Sequence, residues 1–250
     1  MTDEELYARG AATLVASWEA YARGAGGAAL RRLDGVCAAV FPDGPESAVY
    51  NNALIERGLA PAARTTAIAA MESAYRSAGV ARYAAWVHER DEEMRNELER
   101  RGYAAAESTR AMGMRLDAAA LPAPAIAIEP LAWSDYLAFL WTDGAPAGLL
   151  SGADPSAFEA LGAQRGGELL AAGLAFDHEG DCGVFNVATH SSARRRGLGT
   201  AITARLVRDA AARGCTTATL QATPVAERVY GAVGFRDLGR FLEYAPRRGC

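Results

Sequence analysis

The chain has 250 residues, a formal net charge of −4, an apolar share of 50% and a charged share of 22%. This length suits one large or two modest domains with a sizeable core, and the composition is that of a soluble globular protein. The negative net charge argues against nonspecific nucleic-acid binding, and the apolar runs are too short to span a membrane. We therefore expect a cytoplasmic protein that binds neither nucleic acid nor membrane.

The basic side chains are arginines apart from three histidines, so lysine Schiff-base chemistry is excluded. The cysteines show no CxxC spacing, which predicts neither a zinc site nor a disulfide framework. These cysteines are Cys37, Cys182, Cys215 and Cys250. We expect no metal in this protein, and we interpret Cys182 and Cys215 as small buried hydrophobic residues at strand starts.

The first half of the chain alternates predicted helices and strands. Helices are predicted over 3–23, 62–78 and 91–101, and strands over 36–41, 48–55, 82–89 and 103–114. Residues 118–126 combine small side chains with two prolines, which favours an extended linker.

The second half follows a similar pattern. Strands are predicted over 126–133, 158–164, 168–176, 184–189, 216–221 and 235–244, and helices over 200–213 and 224–233, with a short helix or loop over 134–141. Turns are predicted at 165–167 and 178–181, where acidic residues including Asp181 suggest an exposed turn. Pro224 suits the first turn of a helix, and Gly214 suits a helix end.

The two halves share a β-α-β pattern that aligns without a gap. Gly102 aligns with Gly234, and Leu98 aligns with Tyr230. Chance similarity is the simpler explanation, but the gapless length favours a duplication. We predict two domains, 1–120 and 121–250.

A glycine-containing turn lies between the apolar run 184–189 and the helix pattern that follows. It reads Arg194-Arg195-Arg196-Gly197-Leu198-Gly199-Thr200-Ala201. Backbone N–H groups at a helix N-terminus attract anions, and glycines let phosphates approach the backbone closely. The turn therefore predicts a phosphate-bearing ligand.

The second half resembles the GNAT superfamily of acyl-CoA-dependent N-acyltransferases in four features that occur in the family's order. These are a strand ending Val187-Ala188-Thr189, Arg194-x-x-Gly197-x-Gly199, the strand over 218–222, and Ala226-x-x-x-Tyr230 followed by Gly234-Phe235. The resemblance implies an α/β fold of two GNAT-like mixed-sheet domains. The N-terminal one is degenerate, because it lacks the Arg-x-x-Gly-x-Gly pattern and has Leu98 in place of the tyrosine.

The resemblance also implies roles for particular residues. The backbone N–H groups implied to bind the coenzyme A pyrophosphate are those of Arg195, Arg196, Gly197, Leu198, Gly199 and Thr200. Main-chain groups of Val187 and Thr189 would contact the pantetheine arm, and the Val187 N–H would also stabilise a developing oxyanion. Tyr230 would be the general acid for the leaving thiolate, although its spacing also suits a core aromatic residue.

Other predicted contacts leave alternatives open. The side chains of Arg194, Arg195 and Arg196 either form a solvated charge run or contact the coenzyme phosphates. Thr223 stands where the family often has asparagine, so its coenzyme contact would use a hydroxyl group. Four aromatic residues either line an acceptor cleft or belong to the core: Trp133, Tyr136, Phe139 and Trp141.

The general base is not evident, because the strand over 184–189 has no carboxylate and Asn186 cannot act as a base. His190, which follows the strand, is one candidate because of its near-neutral unperturbed pKa. A water chain, or an acceptor that binds already neutral, would serve equally well.

These features predict acetyl transfer from acetyl-CoA to the primary amine of a small molecule or peptide, by direct attack in a ternary complex. The enzyme would be a monomer or homodimer. The alternative is a non-catalytic acyl-CoA-binding or regulatory module. A Rossmann-type nucleotide site fits less well, because the next strand ends in Gln221-Ala222 where that fold places an acidic ribose ligand.

Overall fold

The computed structural model describes residues 1–44, 50–116, 121, 123–124, 126–142, 148 and 150–247. The fold is α/β. The helices are α1 (Asp3–Ala22), α2 (Pro61–Ser77), α3 (Glu92–Arg100), α4 (Trp133–Thr142), α5 (Leu198–Ala212) and α6 (Glu227–Val233). The strands are β1 (Ala29–Leu33), β2 (Val36–Val40), β3 (Asn52–Ile55), β4 (Ala84–His88), β5 (Tyr103–Arg115), β6 (Glu129–Pro130), β7 (Glu159–Arg165), β8 (Glu168–His178), β9 (Asp181–Thr189), β10 (Thr217–Ala222) and β11 (Arg236–Pro246).

The chain divides into two compact units, and each takes segments from both sequence halves. The loop unit, which contains the 194–201 turn, comprises Met1–Ser17, Arg110–Gly148 and Asp154–Leu238. The companion unit comprises Trp18–Thr109, Leu149–Ala153 and Gly239–Cys250.

In the companion unit the strand order is β1-β2-β3-β4-β11. The β3–β4 pair is parallel, and the other pairs are antiparallel. Apolar residues of α2 and α3 complete its core, among them Ile68, Met71, Met94 and Leu98. The N-terminus of α3 is capped by Asp91, whose carboxylate accepts a hydrogen bond from the Met94 N–H.

In the loop unit the strand order is β5-β10-β9-β8-β7-β6. The β9–β10 pair is parallel, and the other pairs are antiparallel. The apolar face of α5 packs on this sheet, and a Cβ at Gly173 of β8 would lie only 2.6 Å from Ile202. Because Gly173 has no side chain, α5 can pack closely against the sheet at this point.

The predicted duplication is visible in the fold. The order β1-β2-β3-α2-β4-α3-β5 recurs as β7-β8-β9-α5-β10-α6-β11. Gly102 and Gly234 end α3 and α6 in the left-handed region, at φ 83° and 116°. The last strands are exchanged, because β5 pairs with β10 and β11 pairs with β4. The part of the sheet formed by each repeat is thus continued by the last strand of the other repeat.

The two hairpin turns lie where neighbouring glycine and polar residues predict them. The β7–β8 turn has Gly166 and Gly167 at φ 61° and 83°, and the β8–β9 turn has Glu179 and Gly180 at φ 47° and 77°. Two consecutive left-handed residues match the right-handed twist of a hairpin. Both predicted turns are confirmed.

Other expectations need correction. The predicted strand 126–133 is shorter than expected, because β6 comprises only Glu129–Pro130, with the Leu131 N–H donating one further hydrogen bond to the Ala160 carbonyl of β7. Pro224 precedes α6, because the Ala226 N–H donates to the Thr223 carbonyl and closes a separate turn first. Strand β1 was not predicted. The start of the predicted strand 48–55 and most of the linker 118–126 lie outside the described residues, as does Cys250.

Candidate active site

Strands β9 and β10 separate along their length. They pair only from Thr217–Asp181 to Thr219–Gly183, and within the described residues no later pair joins them. The β8–β9 register shifts between Ala172 and Leu174, where Asn186 of β9 has φ 49°. This bulge bends β9 next to the point where β10 leaves it. Beyond Gly183, main-chain groups of β9 therefore have no partner on β10 among the described residues, and we refer to this separation of the two strands as the cleft.

The cleft ends at the predicted phosphate turn. A 3-10 turn over Ser191–Ala193 is followed by Arg195 at φ 62° and Gly197 at φ 77°, and α5 begins at Leu198. Within the described part of the chain, no side chain caps this helix. The first N–H groups of α5 are therefore open to an external acceptor.

Two glycines shape the turn differently. A Cβ at Gly197 would meet no atom within 4 Å, so the space beside it is open, while its positive φ favours glycine. A Cβ at Gly199 would lie 3.5 Å from Val229 Cγ1 and 3.9 Å from Val187 Cγ1. Gly199 therefore brings the start of α5 close to both β9 and α6.

The arginine side chains brace the turn. Arg194 Nε donates to the Thr189 carbonyl at 3.1 Å, and an Arg196 terminal nitrogen donates to the Ser192 carbonyl at 3.1 Å. Arg195 has no such bond to any described residue, and all three residues are exposed. Two of the three arginines thus hold the backbone in place, and all three add positive charge beside the helix N-terminus.

Tyr230 lies on α6 and is 7% exposed. Its ring meets that of Phe235 edge-on, with centroids 6.1 Å apart. Burial raises the pKa of its phenol to about 12. The phenol is therefore protonated at neutral pH and can act only as a donor toward an anion.

His190 is held at the end of β9 by two hydrogen bonds. Its backbone N–H donates to the Leu170 carbonyl at 2.8 Å, and its Nδ1 lies 2.8 Å from Ser192 Oγ. The ring borders a cavity of about 570 Å³ formed with α4 and the β7–β8 hairpin. This arrangement leaves Nε2 as the ring nitrogen available to a ligand.

The predicted aromatic set divides into different roles. Tyr136 is fully buried and belongs to the core, whereas Trp133 is half-buried and stacks on Phe158 with centroids 5.6 Å apart. Phe139 is 7% exposed and lines the 570 Å³ cavity, whereas Trp141 is 70% exposed. Thr223 is exposed in the turn before α6.

The expectation that Asp181 lies in an exposed turn is wrong. Asp181 is 1% exposed, and its Oδ2 accepts hydrogen bonds from Thr13 Oγ1 at 2.7 Å and Thr219 Oγ1 at 2.6 Å. Its partners are supplied by α1 and β10, so burial rather than the polar turn beside it decides its environment. Cys182 and Cys215 are buried free thiols, and both were predicted as small buried residues.

Arg110 is a site neighbour that the sequence did not reveal. It lies on β5, opposite Ala222 at the end of β10. Its guanidinium forms ion pairs with Glu227 of α6, at 2.9 Å, and with Asp237. Glu227 lies one helical turn before Tyr230. No local pattern marks Arg110, because its partners are brought to it only by the strand exchange.

No group of three or more His, Cys, Asp or Glu side chains among the described residues could hold a metal ion. None of the described helices is long and apolar enough to cross a membrane.

Comparisons with known proteins agree with the geometry. Residues 125–235 match the model of the acetyltransferase (GNAT) family. A GCN5-related N-acetyltransferase from Kribbella flavida superposes with a TM-score of 0.73 at 17% identity, covering 96% of both chains.

Two further structures share the fold. A GCN5-related N-acetyltransferase from Sphaerobacter thermophilus has a TM-score of 0.60 at 14% identity, covering 88% of this chain and 84% of that one. A tandem GNAT protein from the clavulanic acid biosynthesis pathway has a TM-score of 0.58 at 14% identity, covering 80% of this chain and 76% of that one. No curated protein matches the sequence. Such low identities establish the fold alone.

Proposed function

Because residues 125–235 match the model of the acetyltransferase (GNAT) family, we propose that the protein transfers an acetyl group from acetyl-CoA to a primary amine. The observation that supports this most is the cleft between β9 and β10, which ends at the uncapped N-terminus of α5. An elongated donor with a phosphorylated end fits that combination.

The residues of the cleft and turn suit coenzyme A. Its pyrophosphate would accept hydrogen bonds from the backbone N–H groups of Arg195, Arg196, Gly197, Leu198, Gly199 and Thr200. The open space at Gly197 admits the phosphates, and the arginine charges favour them. Main-chain groups of Val187 and Thr189 would hold the pantetheine arm from the β9 side of the cleft. The Thr223 hydroxyl, which follows β10, would contact the coenzyme from the other side. Bound in this way, the coenzyme supplies an activated acyl thioester.

The reaction requires removal of a proton from the acceptor amine and stabilisation of the charge that develops on the acyl oxygen and the leaving sulfur. An ammonium acceptor must lose one proton before its nitrogen bonds to the acyl carbon, while the carbon–sulfur bond breaks and its electron pair goes to sulfur. Nitrogen loses two protons in total, so one reaches solvent and one ends on the released thiol. The Val187 N–H would stabilise the developing charge on the acyl oxygen.

Tyr230 would serve the leaving sulfur. An ordinary thiol has a pKa of about 8.5, well below the phenol pKa of about 12. Full proton transfer from the phenol to the thiolate is therefore uphill unless another proton replaces it. A hydrogen bond from Tyr230 to the sulfur, with the phenol reprotonated as its proton leaves, meets this constraint.

Removal of the ammonium proton has three routes. His190 Nε2 could accept it, since Nδ1 is occupied by Ser192. A water chain in the cleft, or an acceptor that binds already neutral, would remove the need for a side-chain base. A normal rate in His190→Gln would exclude the first route.

Turnover with a panel of primary amines tests the proposed function. We expect free thiol release that depends on the amine, together with an acetylated product in mass spectrometry, and binding of coenzyme A but not NAD in calorimetry. A non-catalytic acyl-CoA-binding module would bind the coenzyme and acetylate none of the amines. Binding of NAD in place of coenzyme A would contradict both functions.

A further inference from the structure

The helix that carries Tyr230 is short. Helix α6 has seven residues, Glu227–Val233, and a helix of this length is marginal without support from neighbouring elements. Its N-cap residue is Ala226, whose methyl side chain cannot accept a hydrogen bond from the first N–H groups. Its C-terminus is closed by Gly234, whose N–H donates to the Tyr230 carbonyl at 3.2 Å. The start of α6 therefore depends on other elements for its position.

Arg110 of β5 supplies contacts on both sides of Tyr230. Its guanidinium forms an ion pair with Glu227, the first residue of α6, at 2.9 Å, and a second ion pair with Asp237. Asp237 follows Phe235 by two residues, and the Phe235 ring meets that of Tyr230 edge-on. The Arg110 and Glu227 side chains are 22% and 23% exposed, so water screens their attraction less than at the open surface. We call this group of one arginine and two carboxylates the Arg110 clamp.

The sheet gives Arg110 a fixed position for this contact. Arg110 lies in register with Ala222, the last residue of β10, and β5 pairs with β10 along the whole of that strand. Residues 223–226 form the turn that connects β10 to α6. Connecting turns are in general more mobile than the strands they follow. The Arg110 clamp therefore ties α6 to the sheet directly and not only through this turn.

The corresponding helix of the companion unit lacks the acidic partner. In the gapless alignment of the two halves, Arg95 of α3 aligns with Glu227. Leu98 of the same helix aligns with Tyr230. Arg95 donates instead to the Tyr244 hydroxyl at 3.3 Å. The β-α-β pattern thus folds with an arginine at this position, and the carboxylate occurs in the repeat that has the tyrosine.

From this arrangement we propose that Arg110 is a positioning residue for Tyr230. By holding the start of α6 and the strand that follows it, the Arg110 clamp keeps the phenol within hydrogen-bonding distance of the leaving sulfur. A displacement of about 1 Å is enough to slow such a reaction. Arg110 belongs to the first sequence half, so that half contributes to the chemistry although it lacks the phosphate turn. This inference rests on the proposed function, because it concerns how Tyr230 is placed for acetyl transfer.

The kinetics of Arg110→Gln, alone and combined with Tyr230→Phe, test the inference. Alone, Arg110→Gln should lower kcat roughly tenfold and leave the Kd of acetyl-CoA unchanged. In the Tyr230→Phe background it should cause no further loss of kcat, because the hydroxyl group that it positions has been removed. Arg110→Lys should recover part of the rate, since lysine keeps the charge but lacks the planar fork that can bond two carboxylates.

Arg213→Gln is the matched control. Arg213 also bridges two carboxylates of the loop unit, those of Asp177 at 2.7 Å and Glu159 at 2.5 Å. It lies just before the start of β10, whereas Arg110 lies opposite the end of that strand. We expect Arg213→Gln to lower the melting temperature and to leave kcat unchanged.

Two kinetic results would overturn the inference and leave the proposed function intact. Additive losses of kcat in the double variant would mean that Arg110 acts independently of Tyr230. A raised Kd of acetyl-CoA with a normal kcat in Arg110→Gln would make Arg110 a residue that binds the coenzyme.

Hydrogen exchange gives a readout that does not depend on turnover. Arg110→Gln should speed the exchange of backbone amides in α6 and not in α5, because only α6 loses an anchor. If no amine is acetylated, the proposed function fails, but faster exchange confined to α6 would still support the Arg110 clamp. Unchanged exchange in α6 would overturn the clamp whether or not an amine is acetylated.

Discussion

At the scale of single residues, Tyr230 combines deep burial with a phenol that stays protonated. We expect Tyr230→Phe to lower kcat by roughly 10²-fold, as removal of a general acid does, and to leave the Kd of acetyl-CoA unchanged. Burial alone raises its pKa to about 12, so the wild-type rate should not fall through loss of this proton at ordinary assay pH. Steady-state kinetics and calorimetry measure the two effects separately.

Tyr75→Phe is the matched control for this change. Tyr75 is a fully buried tyrosine of the companion unit, and its hydroxyl donates to the Ala39 carbonyl at 3.1 Å. Its loss should cost about 1 kcal/mol of stability without changing kcat. A normal kcat in Tyr230→Phe would mean that Tyr230 only packs against Phe235.

Glu243 of the companion unit predicts a pH-dependent stability. Burial, and secondly the negative charge of Glu107, raise its pKa from 4.5 to about 7. At pH values well below 4.5, the Glu243 carboxyl group is protonated in both the folded and the unfolded state, so its burial does not lower the free energy of unfolding. As the pH rises from about 4.5 to 7 the unfolded chain ionises first, so the free energy of unfolding falls.

We expect Glu243→Gln to remove this loss of stability. The full shift corresponds to at most about 3 kcal/mol, and solvent screening around a partly exposed carboxyl reduces it to roughly 1–2 kcal/mol. Urea denaturation at pH 4.5 and pH 8 measures the difference. Glu107→Gln should remove a smaller part, because it eliminates only the second cause. Equal pH slopes in wild type and Glu243→Gln would contradict this account.

At the scale of elements, the turn before α5 should be more sensitive to the charge of a side chain at position 197 than to its size. Gly197→Glu should abolish coenzyme A binding, because its carboxylate would occupy the open space in which we place the phosphates and would repel them. Gly197→Gln carries the same strain, since φ is 77° at this position, but no charge. We expect it to lose less affinity in calorimetry, with a similar melting temperature. Unchanged affinity in Gly197→Glu would contradict the phosphate site.

The elements that could be predicted from the sequence are those with local signals. The glycines of the two hairpin turns, the glycine at 234 and the Arg-x-x-Gly-x-Gly turn each depend on neighbours in the chain, and the structure places them as expected. The roles of individual side chains at the site remain predictions. They are implied by the family resemblance, and the geometry supports only the arrangement of the elements that carry them.

What the sequence could not indicate depends on distant partners. Asp181 follows a polar turn, so its pattern suggested exposure, but its hydroxyl partners Thr13 and Thr219 come from other elements. Alternation predicts that 103–114 is a strand but not which strand pairs with it. Arg110 was missed for the same reason, because its contacts with Glu227 and Asp237 follow from that pairing.

At the scale of the whole molecule, the exchange of last strands makes the two sequence halves interdependent. The loop unit takes β5 residues Arg110–Arg115 along the side of β10, where they pair from Thr217 to Ala222. It also takes residues 1–17, which include Thr13, the hydroxyl partner of Asp181. A fragment over 121–250 would keep the phosphate turn and Tyr230 but expose one edge of β10.

We therefore expect the isolated 121–250 fragment to lose cooperative folding and coenzyme A binding. An unpaired β10 edge and a buried carboxylate with one partner missing both disfavour the folded state. Coexpression with a 1–120 fragment should restore both properties, because it returns β5 and α1. Thermal melts by circular dichroism and calorimetry with coenzyme A measure them. A fragment that melts cooperatively and binds the coenzyme with full affinity would show that the loop unit does not depend on the exchanged strand.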